Sequence, residues 1–211
     1  SEVSFTDIVE HSIPVTSEEI VKCKYRPVPI HAIEDCLKEI DALLKRGVIE
    51  RSDSEYSSPV VIVKTDKKFR ICVDYRQLNK ISGASRAAVP SLGTLSATFH
   101  GAKVFCSLDC REAFYQIKIK KEHRHRTAWT IPSIGHFQQV AMSLGLRGAP
   151  ATMQSLLDKT IEGMRESVVG YVDDLAGGAE DNEGMISLLE ELFKRLTQAN
   201  LRLNPAKCHL F

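Results

Sequence analysis

The feature that most constrains this chain is a short apolar run, residues 168–172, that ends directly on two adjacent carboxylates, Asp173 and Asp174. A run of that length and composition reads as a buried strand. Two acids side by side at its tip repel each other unless a cation lies between or beside them. A second apolar run, 104–108, ends on Asp109. Were the two strands neighbours, three carboxylates would converge on one point. Hard divalent cations take oxygen ligands of this kind, and Mg²⁺ commonly uses one or two carboxylates plus substrate phosphates. Two such ions roughly 3.5–4 Å apart suit in-line phosphoryl transfer, one activating the attacking hydroxyl and the other stabilising the leaving oxygen. From these residues alone, an acid pair seated in a hairpin turn with no metal role stays open as the alternative.

The rest of the chain alternates helical and strand patterns, which places it in the α+β class. Residues 30–46 predict an amphipathic helix, with Ile30, Ile33, Leu37, Ile40 and Leu44 at helical spacing and Gly47 as its C-terminal cap. Residues 60–64 and 69–75 read as a hairpin, and 104–108 and 115–119 as strands. Residues 148–164 form a helix with Pro150 in its first turn, and 185–199 a second amphipathic helix, followed by a turn at Asn204 and Pro205.

With 43% hydrophobic and 26% charged residues, the composition is that of a globular protein. No apolar run approaches the roughly 20 residues of a membrane span, and the first residues lack a signal-peptide pattern, so the expected location is intracellular, in cytoplasm or nucleus. The six cysteines form no CxxC pair, which argues against a zinc site and a disulfide framework and for reduced, mostly buried thiols. The net charge of +1 is low for a chain that holds a nucleic-acid duplex. It is uneven, however: 64–70 and 118–126 are basic, and 173–191 is acidic. A phosphate-facing patch and a pair of solvated turns are both compatible with those basic runs.

The segments SSPVVIVK, FRICVDYRQLN, FCSLDCREAFYQIKI, LGLRGAPATMQ, GYVDDLAG and LRLNPAKCHLF, in this order and spacing, resemble the motifs of reverse transcriptases, most closely those of gypsy-type long-terminal-repeat retrotransposons. The resemblance covers nearly the whole chain. It implies a right-hand polymerase: an antiparallel palm sheet packed on helices, a fingers lobe, and, in a chain that stops at Phe211, no thumb. The implied division is an N-terminal extension over 1–28, fingers over 29–85 and 121–142, and palm over 86–120 and 143–211. The implied activity is RNA-directed DNA polymerisation on an RNA or DNA template with primer, using deoxynucleotide triphosphates and two Mg²⁺ ions, with Mn²⁺ as a substitute. Asp109, Asp173 and Asp174 would hold the metals, with the backbone carbonyl of Cys110 adding a ligand. Phe114 would lie beneath the sugar and exclude a ribose 2′ hydroxyl, and Lys207 would protonate the departing pyrophosphate. Lys64 and Arg70 would grip the triphosphate, and Leu144 and Gln154 belong to the implied nucleotide pocket.

Several positions depart from the family pattern. Leu144 stands where the family has Phe or Gln. The fingers turn KTDKKF is short and lacks a glycine, and Gly177 and Gly178 follow the acids where an apolar strand is usual, which predicts a looser hairpin. These departures and the low net charge motivate an alternative: a host-adopted, non-catalytic domain that binds a protein or a nucleic acid. A non-templated nucleotidyltransferase using the same metals is a weaker third reading.

Overall fold

Residues 3–65, 69–83 and 97–210 are described in the computed structural model of this chain. In chain order the elements are α1 (Ile33–Lys45), β1 (Ile49–Arg51), β2 (Val60–Lys64), β3 (Phe69–Val73), α2 (Arg76–Ile81), β4 (Val104–Asp109), β5 (Trp129–Ile131), β6 (Gly135–Gln139), α3 (Ala149–Thr160), β7 (Val168–Tyr171), β8 (Asp174–Ala179) and α4 (Asn182–Gln198). They form two units: Ser1–Val3, His11–Ala84 and Lys118–Ala149 in one, Ser4–Glu10, Ser85–Ile117 and Pro150–Phe211 in the other.

In the first unit, β1, β6 and β5 form one antiparallel sheet and β2 and β3 a hairpin. Its core includes Trp129 against Phe137, ring centroids 5.1 Å apart, with Tyr75, Leu78, Ile131 and Met142 fully buried. Helix α1 ends where the cap was expected: Gly47 has φ +71°, its N–H donates to the Leu44 carbonyl at 3.0 Å, and Val48 N–H donates to Leu43. The helix is nevertheless rotated from the face its apolar spacing predicts. Cys36 and Ile40 are buried and Leu37 faces out, while in the 3₁₀ turn Ile30–Ala32 just ahead of the helix Ala32 is buried and Ile30 is 88% exposed. The reason lies in the next face. The Asp35 and Glu39 carboxylates accept the Phe69 and Ile71 N–H groups of β3 at 3.1 and 3.0 Å, satisfying strand amides that would otherwise lack partners.

The basic run at 118–126 is not simply solvated. Residues Lys121–Thr127 form a 3₁₀ helix, Arg124 donates to the Ile119 carbonyl at 3.1 Å, and Arg126 donates to the Ile13 carbonyl. Residues 115–119, expected as a strand, instead begin with a 3₁₀ turn, Ala113–Gln116, followed by isolated bridges at Lys118 and Ile119. The turn at 66–68, where the fingers glycine is missing, lies outside the described residues.

The second unit is built on the antiparallel sheet β4-β8-β7. Cys106 pairs with Gly177 and Leu108 with Leu175, and β7 pairs Val168 with Gly177 and Gly170 with Leu175. These residues therefore share one face. Met185 and Leu189 of α4 bury against Cys106, and Leu157 of α3 lies against Gly170. The expected looseness at Gly177 and Gly178 is not found. Both are buried within a continuous β8, because the space a side chain would fill is already taken: a Cβ would meet Cys106 Sγ at 2.8 Å from Gly177, and the Phe99 ring at 2.8 Å from Gly178. Helix α3 stops earlier than expected, near Gly163 with φ +82°, while α4 starts earlier, where the Asp181 side chain accepts the Gly184 N–H at 2.8 Å. Among the described residues the cysteines are free, with Cys36, Cys106 and Cys110 buried and Cys72 exposed. No described helix is long and apolar enough to cross a membrane.

Candidate functional site

The ladder of the second unit brings the three acids to one end of one sheet. Asp109, the last residue of β4, is the direct cross-strand partner of Asp174, the first of β8, and Asp174 in turn pairs with Tyr171 of β7. Directly opposed Cβ atoms in such a ladder lie about 4.5–5.5 Å apart. By the alternation of the pleat, Asp109, Asp174 and Tyr171 point away from the face that α3 and α4 cover. Asp173 lies in the intervening turn, and its carbonyl accepts the Cys110 N–H at 3.0 Å, which ties the turn to the end of β4.

Like charges facing each other across strands are destabilising, and the ionisation of Asp174 shows it. Its carboxyl is pushed above the ordinary value, first by burial and then by repulsion from Asp173 and Asp109, with Lys207 opposing the shift. The Cys110 thiol, 4% exposed behind the acids, is pushed up to about 12, first by burial and then by the same three carboxylates. It is therefore an inert neutral side chain, and only its backbone is available to the site.

Lys207 brings a cation to these acids. The segment after α4 runs antiparallel along the free edge of β4: Asn204 N–H donates to the Asp109 carbonyl at 2.8 Å, and Ser107 and His209 exchange hydrogen bonds of 2.9 and 2.8 Å. Between those contacts the 3₁₀ turn Pro205–Lys207 places Lys207 Nζ 3.3 Å from Asp109 Oδ2, the two side chains being 66% and 18% exposed.

The donor set meets part of what a divalent cation requires. The donors are hard carboxylate oxygens, the type Mg²⁺ takes. They are not gathered into a ready cage: among the described residues no group of three or more His, Cys, Asp or Glu side chains is arranged to hold an ion, and Asp109 leans to Lys207.

Phe114 lies in the 3₁₀ turn Ala113–Gln116, half-buried rather than in the core. That turn is fastened by the buried Gln116, which donates to the Arg111 and Arg202 carbonyls at 2.7 and 3.0 Å and accepts the Arg202 N–H at 2.7 Å. In the first unit, Lys64 and Arg70 are exposed on the β2–β3 hairpin. The register pairs Lys64 with Phe69 and Val63 with Arg70, so the two cations leave opposite faces of the ribbon. Leu144 is 72% exposed, on a loop that Asn79 pins by donating to the Gly145 carbonyl and accepting the Arg147 N–H, both at 2.7 Å.

Comparison with known proteins decides the family. The family model described as reverse transcriptase (RNA-dependent DNA polymerase) matches residues 62–211. The chain belongs to the reverse transcriptase family. Among curated relatives of this reverse transcriptase domain, the Retrovirus-related Pol polyprotein from transposon 297 of Drosophila melanogaster is 28% identical over 214 residues, covering 98% of this chain and 20% of the relative. The Transposon Tf2-3 polyprotein of Schizosaccharomyces pombe is 29% identical over 203 residues, covering 95% and 15%. The chain thus spans about a fifth or less of the relatives it matches. Among solved structures, the prototype foamy virus protease–reverse transcriptase superposes with a TM-score of 0.85 at 25% identity, covering 99% of this chain and 28% of that one. A foamy viral protease–reverse transcriptase in complex with an RNA/DNA hybrid gives 0.87 at 22% identity, covering 99% and 28%. The fold of the reverse transcriptase domain is accordingly that of retroviral fingers and palm.

Gln154, expected to line a nucleotide pocket, has its amide engaged within the protein. Gln154 is fully buried on α3, donating to the Gly170 carbonyl at 2.9 Å and to Asp158 Oδ1 at 3.1 Å, and accepting the Val172 N–H at 3.0 Å. In the sequence Gln154 stands between Met153 and Ser155, with Leu156 and Leu157 following, and only its burial beside those core positions sets it apart. Gly170, between Val169 and Tyr171, marked a close approach of chain to chain.

Proposed function

We propose that this chain is the fingers-and-palm core of an RNA-directed DNA polymerase from a gypsy-type long-terminal-repeat retroelement, extending a primer with deoxynucleotides. The observation that carries the reading is the direct pairing of Asp109 with Asp174 across β4 and β8, beside a turn that presents Asp173. On this reading the first unit, with His11–Ala84 and Lys118–Ala149, would hold the fingers expected over 29–85 and 121–142, and the second, with Ser85–Ile117 and Pro150–Phe211, the palm expected over 86–120 and 143–211.

Asp109, Asp173, Asp174 and the Cys110 carbonyl would hold two Mg²⁺ ions, or Mn²⁺. When bound, such ions make the primer hydroxyl a stronger nucleophile and neutralise charge on the leaving pyrophosphate. The chain's own residues supply the rest. Lys207 Nζ stands at the acid cluster as a proton donor for the leaving group, and Asp109 must exchange this lysine to turn its carboxylate toward a ligand. Phe114 places an aromatic edge against the sugar and excludes a 2′ hydroxyl by contact. Lys64 or Arg70 meets the triphosphate; since they leave opposite faces, one of them takes the bidentate role, to which the planar guanidinium of Arg70 is suited. Leu144 offers an apolar surface to the nucleotide base. Template and primer are RNA or DNA strands.

The test is primer extension on an RNA template with Mg²⁺ or Mn²⁺ by the longest natural protein that carries this chain, beside its Asp173→Asn variant. Extension that the substitution abolishes is the expected result. A long form that extends no primer overturns the reading.

A further inference from the structure

The turn that carries Asp173 is strained. Val172 has φ +55°, a left-handed conformation that is an outlier for a β-branched residue. Such a conformation persists only where its surroundings over-determine it: Tyr171 and Asp174 pair on either side of the turn, and the Asp173 carbonyl is held by the Cys110 N–H. The Val172 N–H has Gln154 Oε1 as its acceptor. The orientation of that amide is dictated by its partners: Nε2 faces two acceptors, the Gly170 carbonyl and Asp158, so the oxygen must face the Val172 donor. The reach is short because α3 lies hard against β7, where a Cβ on Gly170 would come within 2.9 Å of Leu157 Cβ.

We propose that Gln154 is a positioning residue that clamps the strained Val172 turn and so fixes where Asp173 stands, with Gly170 permitting the contact and Asp158 orienting the amide. The inference rests on the polymerase reading for its kinetic consequence, but not for its structural one. Without the clamp, the Val172 N–H loses its acceptor, the turn relaxes toward negative φ, and the next residue, Asp173, moves with it. Displacing a catalytic group by about 1 Å costs up to roughly 100-fold in rate.

The variants are Gln154→Met, close in volume and without hydrogen bonds, and Asp158→Ala, which removes only the orienting acceptor. Each is made in the longest natural protein, alone and with Val172→Gly, since glycine takes positive φ freely. Gln154→Met should lower kcat roughly 10- to 100-fold with the deoxynucleotide KM within about twofold, and Val172→Gly should restore much of the loss. Asp158→Ala should lower kcat roughly two- to fivefold, in proportion to one weakened hydrogen bond. Amide exchange of Val172 should quicken in Gln154→Met while the core of α4 stays protected. A raised KM with unchanged kcat overturns the proposal, because that is what a nucleotide contact would give. A rate loss that Val172→Gly fails to rescue overturns it too, because a merely destabilised fold behaves that way. If the parent protein extends no primer, the polymerase reading fails by itself, and Val172 exchange then decides: faster exchange in Gln154→Met upholds the clamp, and unchanged exchange refutes it.

Discussion

Gly170→Ala tests whether tertiary contact or local propensity governs the acid hairpin. Gly170 has no positive φ, so alanine meets no backbone penalty there. By local reasoning the substitution should stabilise by about 0.4–1 kcal/mol through the unfolded chain. The structure reverses the sign. The new Cβ would stand 2.9 Å from Leu157 Cβ and 3.1 Å from Leu157 Cδ1. The first of these atoms is fixed to the backbone of α3, so the helix itself must move. Overpacking of this kind costs about 1–3 kcal/mol, which leaves a net loss of roughly 0.5–2 kcal/mol after the chain-entropy gain. For a chain of this size that is a fall in Tm of about 1–8 °C. Gly184→Ala is the internal control. Its Cβ meets only the Asp181 Oδ1 at 3.3 Å and Ala179 Cβ at 3.6 Å, and it lies in a helix, so a gain of about 0.5 kcal/mol is expected. Both variants are compared by thermal unfolding followed by circular dichroism in one buffer. An unchanged or raised Tm for Gly170→Ala refutes the packing argument.

Other perturbations follow from the charges and the turn. Because burial and neighbouring acids raise the Asp174 carboxyl above its ordinary 3.8, its ionisation costs stability at neutral pH and ceases to do so as pH falls through the raised value. Asp174→Asn should therefore raise stability at pH 7 by up to about 1 kcal/mol, read from urea unfolding, with the gain fading in the acid range while primer extension is lost; a gain that persists at low pH contradicts this. Asp74 shows the opposite sign: hydrogen bonds from Arg76 hold its carboxyl down at about 2. Its contribution is complete above the ordinary value and lost as pH falls through about 2, so Asp74→Ala should cost about 1 kcal/mol at pH 7 and converge with the parent near pH 2 in urea titrations. Phe114→Val should raise ribonucleotide incorporation relative to deoxynucleotide on the order of tenfold or more, read from kcat/KM for matched nucleotides; unchanged discrimination removes Phe114 from the sugar site.

The candidate site of this chain was legible in its sequence because motifs are local. Two acids after an apolar run, a third after another, and a lysine beyond Asn-Pro mark the candidate reacting groups, and Gly47 and Pro150 punctuate helices wherever the chain goes. What periodicity carries is the type of element, not its rotation or its register. Helix α1 turns Leu37 outward because Asp35 and Glu39 serve the β3 amides, a contact that no count of apolar spacing contains. Gly177 and Gly178 read as weak strand residues until Cys106, Leu188 and Phe99 are brought beside them. Gln154 read as part of a nucleotide pocket until β7 came close enough for its amide to reach Val172. The pairing of Asp109 with Asp174 belongs to the same class. The sequence by itself determined which groups can react, since that depends on side-chain identity. Only tertiary structure decided which of them face one another, since register and helix rotation are set by the surfaces that bury together across distant parts of the chain.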